Sequence, residues 1–64
     1  MDELIEKLNN YRLENRITQQ QLAQLLEVSF PTINRWFNGK AMPRPIQRYH
    51  IEKFLAQKSK KVNA

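Results

Sequence analysis

The chain has no cysteine, so no disulfide and no thiolate-held zinc can brace it, and its stability has to come from side-chain packing. It has a single glycine, Gly39, which excludes a glycine-rich phosphate loop. Its one histidine, His50, has only Glu52 as a nearby carboxylate. Neither a metal-ligand cluster nor a nucleophile with a paired base can be assembled from that, and His50 reads as structural. Nowhere do apolar residues run for the roughly 20 positions of a membrane span. The opening Met1-Asp2-Glu3-Leu4 is acidic with no apolar run behind it, unlike a secretory signal. Catalysis, a metal, a cofactor, a small-molecule ligand and a membrane partner are therefore not expected, and a soluble intracellular protein is.

What is present fits one small domain. Sixty-four residues bury too little surface for two cores, and 41% hydrophobic with 27% charged residues is an ordinary globular composition. Charge is unevenly placed. Residues 1–32 carry Lys7, Arg12 and Arg16 against Asp2, Glu3, Glu6, Glu14 and Glu27, a net of −2. Residues 33–64 carry Arg35, Lys40, Arg44, Arg48, Lys53, Lys58, Lys60 and Lys61 against Glu52 alone, a net of +7. A basic half of this kind points to a polyanionic partner.

Periodicity predicts four helices and no strand. Asp2 caps the first, where Leu4, Ile5, Leu8 and Tyr11 recur at helical spacing as far as about Glu14, with Glu3 and Glu6 near the positive end of the dipole. Thr18 with Gln21 three residues on is a capping box for a second helix over 19–26, whose apolar residues are Leu22, Ala23, Leu25 and Leu26. After Glu27-Val28-Ser29, Ser29 caps a third helix with Pro31 in its first turn, where a missing N–H costs little. That helix runs to about Asn38, and Gly39 supplies a left-handed stop. Pro43 and Pro45 then hold off a fourth helix, 45–57, marked by Ile46, Tyr49, Ile51, Phe54 and Leu55. Residues 58–64 read as a basic flexible tail. The expected fold is all-α: a compact four-helix domain over 1–57.

A helix of eight residues, a three-residue turn and a second short helix is the unit that lays its second helix in the major groove of DNA. At 100° per residue, Ile33, Trp36 and Phe37 share one face of the third helix, while Pro31, Arg35 and Asn38 lie opposite with Asn34 at the edge. The first face is core, so Trp36 reads as packing rather than as a base-stacking ring, and Tyr11, Phe54, Leu55 and the Leu22, Leu25, Leu26 cluster read as core with it. The opposite face has no acid. It offers an arginine that can bind guanine and asparagines that can bind adenine or phosphate.

The residues Ile17-Thr18-Gln19-Gln20-Gln21-Leu22-Ala23, then Val28-Ser29, Thr32-Ile33, Arg35-Trp36 and Asn38-Gly39-Lys40, resemble the phage repressor and Cro-like (XRE) helix-turn-helix family over about residues 4–55. The resemblance implies a lambda-repressor-like fold, with Gln19 and Asn38 holding phosphates on either side of the groove and Ser29, Phe30, Pro31, Thr32 and Arg35 facing base edges. Asn34 joins the base-reading set from its place at the edge of the outward face. Lys40, Arg44 and Arg48 follow the third helix directly and read as phosphate contacts.

The sequence departs from the family at three places. Glu27 stands where glycine is usual, so a left-handed backbone there costs roughly 1 kcal/mol. Phe37 stands where the family often has an acid facing the arginine that matches Arg12, which leaves Arg12 to Glu14 or to solvent. Phe30 and Pro31 replace polar residues at the tip of the reading helix and leave apolar contact with a thymine methyl as their direct contribution. The expected function is sequence-specific binding of double-stranded DNA by a repressor-like transcriptional regulator, cytoplasmic and nucleoid-associated in a bacterium or phage. The competing reading is a protein-interaction module, such as an antitoxin or a targeting domain, docking through the same helix. Relatives often build a dimer on a fifth helix. Without one, the expectation here is a monomer in free solution with weak pairing on DNA.

Overall fold

The structure is a computed structural model that describes residues 2–59. Asp2, in extended backbone, accepts the Leu4 N–H at 2.8 Å, and α1 (Glu3–Glu14) starts from that cap. Thr18 and Gln21 form the reciprocal capping box that opens α2 (Gln19–Leu26). Ser29 caps α3 (Phe30–Phe37), with Pro31 in its first turn. Pro45 opens α4 (Pro45–Ser59), and Gln47 reaches back to accept the Arg44 N–H at 2.7 Å. The last helix therefore takes in Lys58 and Ser59, two residues that the sequence assigns to a tail; the rest of that tail, 60–64, lies outside the described residues.

The first three helices stop in the same way. Ile17 N–H bonds to the Arg12 carbonyl, Val28 N–H to that of Ala23 and Lys40 N–H to that of Arg35, each at 2.9–3.1 Å. The residue preceding each of these donors is left-handed: Arg16 at φ 57°, Glu27 at φ 60° and Gly39 at φ 73°. This is the six-to-one closure that satisfies the last carbonyls of a helix, and it normally selects glycine. Only one of the three positions has it.

One core joins all four helices: Leu4, Ile5 and Leu8 from α1, Leu22 and Ala23 from α2, Ile33 and Trp36 from α3, and Ile51 from α4. Trp36 is 3% exposed, and burying an aromatic side chain of this size is worth about 3–5 kcal/mol over alanine, the scale of the whole stability of so small a domain. Tyr11 and Phe54 meet edge to face at 5.1 Å and, with Leu55, pack half-buried against this centre.

One expected core position, Leu25, lies outside it, as do two of the apolar residues that mark the fourth helix. On α2 the buried stripe is Leu22, Ala23 and Leu26, and Leu25 points more than a quarter-turn from its centre, leaving it half exposed. On α4 the inward stripe runs through Ile51, Phe54 and Leu55, at i, i+3 and i+4. Ile46 and Tyr49 fall off that stripe and are exposed. Extending the stripe one turn back reaches Gln47 and Arg48 instead, both half-buried. Arg48, expected at a phosphate, thus faces α1, where its Nη1 donates to Asp2 Oδ2 at 2.9 Å. Asp2 caps α1 with one carboxylate oxygen and holds α4 with the other. The tie spans 46 residues of chain.

The hydrogen bond from Arg48, helped by the Leu4 N–H, holds the Asp2 carboxyl below its usual pKa against the partial burial that would raise it. A depressed native value means that the unfolded chain binds more protons through that window. Its contribution to stability is complete above the ordinary carboxylate pKa and lost as pH falls through the native one. Asp2→Asn keeps a capping side chain and removes the charge. Wild type should melt above this variant at neutral pH, with the gap closing in acid below the ordinary carboxylate range; thermal melts followed by circular dichroism check this, and a gap independent of pH would contradict it.

Candidate nucleic-acid interface

α2 and α3 form the bihelical unit, and its turn is set by Glu27. At φ 60° and ψ 41°, Glu27 brings Val28 N–H onto the Ala23 carbonyl, and the chain leaves α2 sharply enough for Ser29 to cap the next helix. The turn is the one a glycine would make, with a glutamate held in it. Ser29 Oγ accepts the Thr32 N–H at 3.3 Å and lies 2.9 Å from Thr32 Oγ1, so the two hydroxyls expected at base edges are bonded to each other.

Ile33 and Trp36 face the core, Phe37 is half-buried, and Phe30, Pro31, Arg35 and Asn38 are exposed. Nothing acidic lies between Phe30 and Asn38. Among the described residues the Arg35 guanidinium has no hydrogen-bond or ion-pair partner. Lys40 and Arg44 are exposed just beyond the helix, continuing the positive surface.

Asn34 lies at the edge of that face with its carboxamide engaged at both ends. Its Nδ2 donates to Gln19 Oε1 at 3.0 Å, and its Oδ1 accepts from Asn38 Nδ2 at 2.9 Å. Gln19 begins α2 and Asn38 ends α3, so this relay crosses the bihelical unit from one expected phosphate ligand to the other. The Asn34–Asn38 spacing of four is visible in the sequence. The Gln19–Asn34 contact, 15 residues apart, requires the packed turn.

Arg12 is placed by neither Glu14 nor solvent. Its guanidinium lies over the Phe37 ring at 5.7 Å, its Nε donates to Asn9 Oδ1 at 3.1 Å, and its Nη1 donates to the Ile17 carbonyl at 3.3 Å. One side chain thereby links α1, the segment entering α2, and the end of α3. The missing acid is replaced by a ring face, whose quadrupole attracts a cation. His50 is exposed on α4 with its ring edge towards Tyr49 at 5.7 Å. No group of three His, Cys, Asp or Glu among the described residues is placed to hold a metal, and no described helix is long and apolar enough to cross a membrane.

A family model described as helix-turn-helix matches residues 8–49, which takes in both helices of the unit and its turn. The chain belongs to the helix-turn-helix family. Within it, this helix-turn-helix domain is of the XRE type. It is similar to the HTH-type transcriptional activator BcrR of Enterococcus faecalis, with 39% identity over 54 residues. That alignment covers 84% of the chain and 26% of the relative, so the chain spans about a quarter of the relative's length. No solved structure matches it.

The left-handed glutamate is a local strain that glycine does not have. Glu27→Gly should raise stability by roughly 0.5–1 kcal/mol, the relief of strain being partly offset by the freer unfolded chain. Urea unfolding gives the answer. A loss of stability would mean that the Glu27 side chain contributes a contact outweighing its backbone.

Proposed function

We propose that this helix-turn-helix domain binds double-stranded DNA with sequence preference and regulates transcription by occupying an operator. The observation that carries the reading is the outward face of α3, free of acids, with an unpartnered Arg35 at its centre. Arg35 donates two parallel hydrogen bonds to guanine O6 and N7. Phe30 and Pro31 give apolar contact to a thymine methyl beside it. Ser29 and Thr32 lie at the same end of the helix and meet base edges through hydroxyls that their mutual bond already orients.

Phosphates fall to the flanks. Thr18 and Gln21 use each other's N–H groups, and the N–H groups of Gln19 and Gln20 at the start of α2 remain for an anion, aided by the helix dipole. Asn38, Lys40 and Arg44 hold the strand on the other side. Arg48, tied to Asp2, is not in this set. The curated relative is named as an activator, and occupancy of an operator serves repression or activation equally. A cytoplasmic, DNA-associated location accompanies this reading.

Binding is tested on a random duplex pool followed by measurement at two salt concentrations. With Lys40 and Arg44 as the two cationic phosphate contacts, a fourfold rise in salt should weaken binding by roughly 12-fold. Arg35→Ala should cost about 1–3 kcal/mol on the selected site and relax preference at one base pair. Equal weakening on every sequence would make Arg35 a phosphate ligand instead.

The 64-residue chain should be a monomer in free solution at micromolar concentration, pairing weakly and mainly on DNA. The large exposed apolar side chains are dispersed over α1, α2, α3, the linker and α4, as Leu13, Leu25, Phe30, Met42, Ile46 and Tyr49. Ile51, at 1% exposed, cannot serve as a subunit contact on α4. Sedimentation equilibrium without DNA measures the state directly, and a stable dimer would refute this expectation.

A further inference from the structure

We propose that Asn34 is a positioning residue, whose carboxamide holds the side chains of Gln19 and Asn38 so that their remaining N–H donors meet phosphates on the two sides of the groove. The inference rests on the DNA-binding reading above and assigns Asn34 a part different from the base contact its place in the helix suggests.

The direction of the hydrogen bonds carries the argument. Gln19 offers its oxygen to Asn34 Nδ2 at 3.0 Å, which turns the Gln19 NH2 group, with both donors unused, away from Asn34. That group sits in the first turn of α2, beside the two unpaired backbone N–H groups and at the positive end of the helix dipole. An anion is the complement to such a set. Asn38 gives one N–H to Asn34 Oδ1 at 2.9 Å and keeps the other. Both of its helix-ending neighbours, Gly39 and Lys40, have their N–H groups committed to the Trp36 and Arg35 carbonyls, so the Asn38 side chain is the neutral donor left at that end. Asn34 is half-buried, while Asn38 is exposed. The order therefore spreads from the packed α2–α3 junction outwards.

A glutamine or asparagine left to itself must surrender its rotamers on meeting a phosphate. One already held loses less, and the difference appears as affinity without any added contact. Because all three side chains are neutral, the relay changes the strength of binding without changing the number of counterions released.

The test uses the full chain, a short duplex carrying the site it selects from a random pool, and the same duplex with that site shuffled. Asn34→Ala should weaken binding to both duplexes by the same factor, roughly three- to tenfold, with the slope against salt unchanged. In a Gln19→Ala/Asn38→Ala background, adding Asn34→Ala should have no further effect. Asn34→Ser, too short to span both neighbours, should behave as Asn34→Ala does and guards against a folding defect in either variant. In the free protein, NMR relaxation should find the Gln19 and Asn38 side-chain amides restrained in wild type and mobile in both Asn34 variants. A loss confined to the selected site makes Asn34 a base reader and overturns the inference. So does a full Asn34→Ala effect in the double-variant background, or amide mobility that is unaltered by the variants. A wild-type chain that binds neither duplex overturns the DNA-binding reading itself, and this inference with it.

Discussion

A helix of eight residues is marginal in water, because nucleation is unfavourable and so few hydrogen bonds follow it. α3 is therefore a helix only while Ile33 and Trp36 stay buried against the other three. Everything on its outward side depends on that burial. The spacing of Pro31, Arg35 and Asn38, the reach of Arg35 and the approach of Asn34 to Gln19 are all set by where the inward face is fixed. The core spends its largest residue, Trp36, on the shortest kind of element, and holding the outward face of α3 in place is what this achieves.

Around that centre the helices are tied to one another by polar contacts. Asp2 starts α1 and binds Arg48 of α4, while Arg12 joins α1 to the end of α3. The first joins the start of α1 to the first turn of α4. The second bears on α3 itself. A partly exposed ion pair is worth little by itself, but Asp2 also supplies the cap, so one carboxylate serves two helices. The polar relay across α2 and α3 differs in kind, because all three of its side chains are neutral.

Much of this was legible in the sequence because the relevant signals are local. The Asp2, Thr18 and Ser29 caps, the Pro31 start and the Gly39 stop each depend on a few neighbouring residues, and each lies where those residues require. The inward face of α3 followed from spacing alone. What was not legible depends on the angle of one helix against another. Leu25, Ile46 and Tyr49 are apolar residues whose place relative to the buried stripe cannot be read until a neighbouring helix fixes the stripe. Arg48 looked like one more basic residue after α3 and proves to lie in line with Ile51, facing α1. Asn34 was assigned to base edges from its angle on the helix, and its two partners emerge only when α2 is folded beside it. The family often has an acid where Phe37 stands, and without one the sequence left Arg12 to Glu14 or to solvent. A ring as the partner of an arginine leaves no charge signature in a sequence.

That ring has a consequence of its own. A carboxylate opposite Arg12 would be a switch: acid would neutralise it, and the grip of α1 on the end of α3 would weaken with it. Phe37 has no proton to gain. The contact is also short-ranged and partly buried, where dissolved ions screen weakly. This hold of α1 on the end of α3 therefore has no carboxylate to lose in acid, while the grip of the outward face on a polyanion is sensitive to salt. That one contact and the affinity of the outward face answer to different variables in this domain.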